Sequence, residues 1–285
     1  MISVILAVLS AVFAASTAIL AKIGVSEVKS DLATALRTGV VLVMAALVCL
    51  VFGQFDFCVL TPRALLFLLL SGFSTALSWL CYFRALQLGS VSKVVPLDKL
   101  STVFVMVLAF TVLREPLSWQ SVTGGALISA GAVIMALGKR EGEKRSGLAV
   151  ILALCSALFA AATSVLAKIG MENVPSNFAT LIRTVVILIF AWTVVFAKRQ
   201  HREIRNISRK SLFFLVLSGV TTGLSWLCYF AAISLGRISI VAPIDKFSVV
   251  LTLIFGFIFL KERVDAKAIA GCILITAGTV FLILG

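Results

Sequence analysis

The sequence predicts an all-α membrane protein: ten transmembrane helices in two inverted five-helix repeats around a central cavity. Three observations predict it. Of 285 residues, 61% are hydrophobic and only 13% charged, with a mean hydropathy of +1.16. A soluble domain has about a quarter of its residues charged, so this chain lacks the polar surface to wrap a globule and its solvent is lipid. Next, SGFSTALSWLCYFRALQLG (Ser71 to Gly89) returns as SGVTTGLSWLCYFAAISLG (Ser218 to Gly236), 147 residues later, with 13 of 19 positions identical. Self-similarity at about half the chain length means two copies of one structural unit. Finally, basic residues concentrate in alternate connections between the apolar runs, as membrane topology requires.

The apolar segments run over 2–21, 32–52, 64–86, 94–113, 119–137, 148–167, 178–197, 211–233, 238–260 and 266–284. Each is near the ~20 residues that cross the hydrocarbon. Lipid offers no partner for a backbone amide, so uniformly apolar runs of this length are helices. Turn and breaker residues separate them: Gly24, Gly53, Pro62, Gly89, Pro116, Gly138, Pro175 and Gly236. The first run, MISVILAVLSAVFAAS, lacks a basic leader and a small-residue cleavage site. It is expected to stay as the first helix.

The two copies correspond element by element. FAASTAILAKIG (Phe13 to Gly24) matches FAAATSVLAKIG (Phe159 to Gly170), and ALRT (Ala35 to Thr38) matches LIRT (Leu181 to Thr184). PLDK (Pro96 to Lys99) matches PIDK (Pro243 to Lys246), and LREPL (Leu113 to Leu117) matches LKERV (Leu260 to Val264). The expected units are residues 1–140 and 147–285, five helices each. An odd number of crossings per unit turns the second copy upside down relative to the first.

Charge agrees with that inversion. Of the lysines and arginines, 17 lie in or beside odd-numbered connections, 4 in or beside even-numbered ones, and 4 within helices. GQFDFCVLTPR (Gly53 to Arg63) holds one basic residue, whereas the equivalent KRQHREIRNISRK (Lys198 to Lys210) holds six. By the positive-inside rule the odd connections are cytoplasmic, and both termini lie on the non-cytoplasmic side of the cell membrane. The 198–210 run reads as a retention signal or as a contact for anionic lipid headgroups. The net charge of +13 implies no nucleic-acid partner, because the basic residues sit between apolar runs. Six cysteines with no CxxC and no Cys/His pairing imply neither a disulfide framework nor a metal site.

The tandem five-helix units, the SGxxTxLSWLCYF phrase, PxDK entering the following helix and LxE closing it resemble the drug/metabolite transporter superfamily, specifically its EamA family. Each half is similar to the single-repeat EamA proteins. The resemblance covers essentially the whole chain. It implies a ten-helix bundle whose central cavity is walled by both halves, working as a secondary carrier by alternating access. Members of the family move amino acids, other metabolites, nucleotide sugars or drugs. The chain departs from the small four-helix multidrug relatives, which carry a glutamate in the first helix; here that helix holds only Ser3, Ser10, Ser16, Thr17 and Lys22 as polar residues.

Candidate substrate-pathway residues follow from charge at membrane depth. Asp98 and Lys99 lie about one turn into the fourth helix, with Asp245 and Lys246 equivalently placed in the ninth. Adjacent helical residues point about 100° apart, so neither acid neutralises its neighbouring lysine side by side. Pro96 and Pro243 loosen the helix just before them, and broken helices at matching places in two repeats mark a transporter's site. The other reading is an ion cluster that registers the two halves. A carboxylate here is also a candidate proton carrier. Arg37 and Arg183 form a second symmetric pair, suited to a substrate carboxylate or phosphate, or else paired with an acid such as Asp98 or Glu115. Trp79 with Tyr82, and Trp226 with Tyr229, each share a helix face; with Ser78 and Ser225 they line a cavity or form an interfacial belt. Lys22 and Lys168 read as helix-end anchors, Glu115 and Glu262 as local partners of Arg114, Lys261 and Arg263, and Gly124, Gly125, Gly131, Gly271 and Gly278 as close helix packing.

There is one histidine and no HExxH, GxSxG or phosphate-cradling glycine loop, so no enzyme and no cofactor is expected. The expected partners are a small-molecule substrate, the lipid bilayer and a coupling proton, in a monomer or weak dimer. The expected function is a carrier of small metabolites, amino acids or related compounds among them. A flippase for a lipid-linked metabolite and a multidrug efflux carrier stand as alternatives.

Overall fold

The computed structural model describes residues 1–24, 28–88, 94, 97–98, 100–136, 147–260 and 266–284. Lys99, Pro96, Gly89, Gly138, Lys261, Glu262 and Arg263 lie outside them, as does the side chain of Lys22. The described residues form eleven α-helices, one 3₁₀ helix and no strand. In chain order these are α1 (Ile2–Gly24), α2 (Ser30–Val51), α3 (Pro62–Leu88), α4 (Ser101–Thr111), α5 (Trp119–Ala136) and α6 (Gly147–Gly170). Then come α7 (Ser176–Ala197), a 3₁₀ helix over Gln200–Asn206, α8 (Arg209–Leu235), α9 (Ile238–Asp245), α10 (Ser248–Leu260) and α11 (Ala266–Leu284).

Eight stretches are long and apolar enough to cross a membrane: α1, α2, α3, α6, α7, α8, α9 with α10, and α11. Large apolar side chains such as Ile189, Phe213, Phe257 and Ile273 are exposed along these helices, a surface that lipid covers and water would not. The chain is a multi-pass membrane protein. The remaining two expected crossings hold the 11-residue α4 and the 18-residue α5.

The most extensive packing joins the first half of the chain to the second: α1 against α8, α3 against α6, α5 against α11, and α2 against α7. Along α5 and α11 the backbones touch. A β-carbon at Gly131 would stand 2.6 Å from the Gly271 carbonyl oxygen, and one at Gly278 would stand 2.7 Å from that of Gly124. Glycine permits this approach, which in lipid is the principal source of helix association. The same device recurs where Gly72 meets Val186 and the Arg183 carbonyl, and where Gly219 meets Val40 and the Arg37 carbonyl.

Contacts at the ends of the bundle sort by connection number. At one end the first and seventh connections meet: Lys29 Nζ lies 2.6 Å from Glu203 Oε1, while Lys198 Nζ and Gln200 Nε2 donate to Asp31 Oδ2 at 2.8 and 2.9 Å. At the other end the even connections meet. Asn177 donates to Gln54 at 2.9 Å, and Phe57 packs edge-on against Phe178. Among the described residues, the first connection thus meets the seventh, and the second meets the sixth.

Candidate functional site: a central polar cavity

Two adjoining cavities of about 350 Å³ each lie between the halves, sharing Ala14, Trp79, Ser225 and Trp226 in their walls. That size lies toward the lower end for small-molecule sites. Thr17, Thr34, Arg37, Thr38 and Thr222 complete the first; Ser10, Ser78, Thr163, Arg183, Tyr229, Asp245 and Lys246 are among the walls of the second. Of the residues singled out from the sequence, Ser78, Trp79, Ser225, Trp226, Tyr229, Asp245, Lys246, Arg37 and Arg183 are thus brought together. Trp79 and Trp226 both line the cavity walls.

Asp98 and Tyr82 do not appear in those walls. Tyr82 packs instead with Leu97 and Leu152 around a buried patch of Ala85, Val94 and Ala153. Tyr229 meets Ser164 at 2.9 Å; the position equivalent to Ser164 in the first half is Ala18.

The helix carrying Asp245 breaks as the PIDK phrase predicts, but at a different place. Pro243 lies inside α9, and the discontinuity follows it at Lys246 and Phe247. Proline has no N–H to give Ser239 and crowds that carbonyl. Lys246, Phe247, Val249 and Val250 then donate to the carbonyls three residues back, at 2.9–3.0 Å, before Leu251 restores the four-residue spacing. This tightened turn holds Asp245 at the end of a short helix, beside the cavity; such mid-helix irregularity is common at hinges and sites.

Each aspartate is held by a serine of the opposite half. Ser10 Oγ donates to Asp245 Oδ1 at 2.7 Å and lies 3.2 Å from Ser225 Oγ. Equivalently, Ser156 Oγ donates to Asp98 Oδ1 at 2.9 Å and lies 3.3 Å from Ser78 Oγ. Reasoning from sequence gave no role to Ser10, one of several hydroxyls in the first helix, or to Ser156, because a serine in an apolar helix does not show which residue it faces. Their common 146-residue offset within the FAA-containing repeat was the available signal.

The arginines repeat the pattern on either side. Arg37 Nη2 donates to Thr222 at 2.9 Å. Arg183 Nε donates to Ser71 at 2.7 Å and its Nη2 lies 3.3 Å from Thr75, with the guanidinium 3.9 Å above the Phe230 ring. The expected acid partners do not serve them: no ion pair among the described residues includes either arginine. Asp98 and Glu115 are engaged elsewhere.

Glu115 also departs from the sequence expectation. It does not pair with neighbouring Arg114, whose backbone adopts a left-handed conformation (φ 52°). Its carboxylate reaches the other half, accepting from Lys168 Nζ at 2.7 Å, from the Ile238 and Ser239 N–H groups, and from the Ser239 hydroxyl. Lys168 also donates to the Gly236 carbonyl, so it is an interhalf clasp and not a simple anchor. A carboxylate only 7% exposed needs this many donors. Burial pushes Glu115 up, but Lys168, Ser239 and Ile238 outweigh it and hold the group below the ordinary glutamate range.

The sequence profile of the EamA-like transporter family matches residues 1–137 and again residues 147–284. The chain belongs to the EamA-like transporter family. A relative from Sinorhizobium sp., described as an uncharacterized transporter in the cobO 3' region, is 47% identical over 130 residues, 46% of this chain and 92% of that protein. An uncharacterized transporter of Archaeoglobus fulgidus is 27% identical over 205 residues, 72% of this chain and 70% of its own. The Bacillus subtilis uncharacterized transporter YxxF is 26% identical over 236 residues, 79% of this chain and 72% of its own. A solved crystal structure superimposes with a TM-score of 0.80, covering 99% of this chain and 96% of its own at 17% identity, which shows a shared fold. As an EamA protein, the chain is a membrane transporter by family, and its cavity is where transport chemistry is to be sought.

Proposed function

We propose that the chain is a secondary carrier of small metabolites in the cell membrane, and not an enzyme, working by alternating access. Residues 1–140 and 147–285 are two five-helix units, inserted in opposite orientations so that ten helices cross the membrane. Both termini then lie on the non-cytoplasmic side, as the charge of the odd connections requires.

One observation carries the reading: sequence-equivalent residues make equivalent contacts across the two halves, and all of them except Ser156 and Asp98 line the adjoining cavities. Ser10 with Asp245 and Ser156 with Asp98 form one matched pair; Arg37 with Thr222 and Arg183 with Thr75 form another. The pairs differ in access. Arg37 is partly exposed, whereas Arg183 is 2% exposed and sealed against Phe230. Unequal exposure of equivalent residues is what one state of a two-state carrier leaves, with the cavity reached from the pole of Asp31 and Lys198 and closed at the pole of Glu115 and Lys168. Exchange of these roles between the halves opens the other side.

Uptake and efflux by proteoliposomes, screened over amino acids, nucleotide sugars and cationic drugs with and without a pH gradient, tests the proposal. Saturable movement of at least one class, lost in Asp245→Asn, is expected. Substrate movement equal to that of empty liposomes across the whole screen rejects it.

A further inference from the structure

The cavity walls carry unbalanced charge. Their described charged residues are Arg37, Arg183 and Lys246 against the single acid Asp245. Among the described residues both guanidinium groups hydrogen-bond only to neutral hydroxyls, and each keeps a buried nitrogen with no hydrogen-bond partner, Arg37 Nε and Arg183 Nη1. An arginine in a transmembrane helix is costly, and is ordinarily balanced by an acid or by backbone carbonyls. Here the hydroxyl partners fix the geometry of the forks without neutralising them. A buried donor left unmade costs about 1–3 kcal/mol, more on a charged group, which a ligand oxygen recovers. Guanidinium forks match the planar oxygens of carboxylate and phosphate.

Granted the carrier reading, on which this rests, we propose that the cavity takes small organic anions. Arg37 receives the carboxylate or phosphate from the open pole, and Arg183 is its counterpart when access reverses. Trp79 and Trp226, shared by both cavities, flank the organic body. The anion would supply the countercharge that the walls lack, so an occupied cavity is closer to neutral than an empty one. A cationic substrate would meet three like charges and one acid already hydrogen-bonded to Ser10.

The test uses the purified full chain in detergent, titrated with benzoate, phenyl phosphate, benzamide and benzylamine, reading tryptophan fluorescence and thermal shift. Saturable binding of benzoate or phenyl phosphate, and not of benzylamine, is expected; the two anions separate a carboxylate site from a phosphate site. Arg37→Gln should weaken that binding by about 10- to 100-fold, the worth of a charge-assisted hydrogen bond. Arg37→Lys, which keeps charge but not the fork, should fall between. Saturation by benzylamine alone, no saturable effect of either anion, or unchanged anion binding in Arg37→Gln overturns the inference. Because Arg37 is partly exposed, its variants should fold even where Arg183→Gln does not. Anion binding with no transport of any compound rejects the carrier reading and leaves the anion site standing. Transport of benzylamine with no anion bound does the reverse.

Discussion

Replacing Glu115 with Gln removes the one carboxylate that joins three residues of the other half. The side chain accepts four hydrogen bonds, one from Lys168, one from Ile238 and two from Ser239. Glutamine keeps an acceptor oxygen but turns an N–H₂ toward those donors, and Lys168, its side chain 23% exposed, loses its countercharge. Breaking a buried ion pair costs about 3–5 kcal/mol. The residual exposure of Lys168 sets the expectation at the lower end, about 3 kcal/mol. Unfolding in mixed micelles of the native chain, Glu115→Gln, Lys168→Met and the double variant measures it. The double variant should recover on the order of 1–3 kcal/mol relative to the sum of the singles. The pH dependence has a definite sign. Because the folded pKa is depressed, the stabilisation is present above the unfolded value near 4.3 and is lost as pH falls through the lower folded value. The gap between native and Glu115→Gln should therefore hold steady from about pH 5 upward and close only below about pH 4. Singles that add within about 0.5 kcal/mol, or a gap already closing near neutrality, would refute the clasp.

Three further outcomes are expected. Gly131→Val drives a side chain into the Gly271 carbonyl and Ile275 and should cost about 1–3 kcal/mol or abolish folded protein, seen as lost monodisperse yield. Gly39→Ala, where a β-carbon meets nothing within 4 Å, should instead gain about 0.5–1 kcal/mol. Asp245→Asn retains an acceptor for Ser10, so membrane levels should stay normal while uptake falls by about tenfold or more, the equivalent of 1.4 kcal/mol; unchanged proton-driven uptake in both Asp98→Asn and Asp245→Asn excludes them as the proton carriers.

What the sequence conveyed well was periodic or duplicated. Apolar length placed the helices from lipid physics alone, and the doubled phrase pointed to Trp79, Trp226, Ser78 and Ser225, of which both tryptophans and both serines reach the cavity. Glycine spacing in α5 and α11 announced their contact because no other residue lets backbones meet. What stayed hidden depended on which helix faces which. One reading of Arg37 and Arg183 gave them acid partners, yet Thr222, Ser71 and Thr75 stand opposite them, a fact of packing across the halves. Glu115 was read with its chain neighbours, but the left-handed turn at Arg114 and the close approach of Lys168 and Ser239 direct it elsewhere. Tyr82 shares its sequence context with Tyr229, yet packs with Leu97 and Leu152 and not in the cavity walls. The break near Asp245 was legible in its proline, and its position was not, since the tightened turn falls after the ring.

Opposite insertion of the two halves is the claim on which the cavity, the matched pairs and alternating access all depend, and one labelling measurement addresses it. In a chain whose other cysteines are replaced, Cys58 marks the connection between α2 and α3, and Asn206→Cys marks the equivalent connection between α7 and α8; both positions are exposed. With an impermeant maleimide on intact cells, Cys58 should react from outside, and Asn206→Cys should react only after the membrane is opened. Reaction of both from the same side would contradict the account.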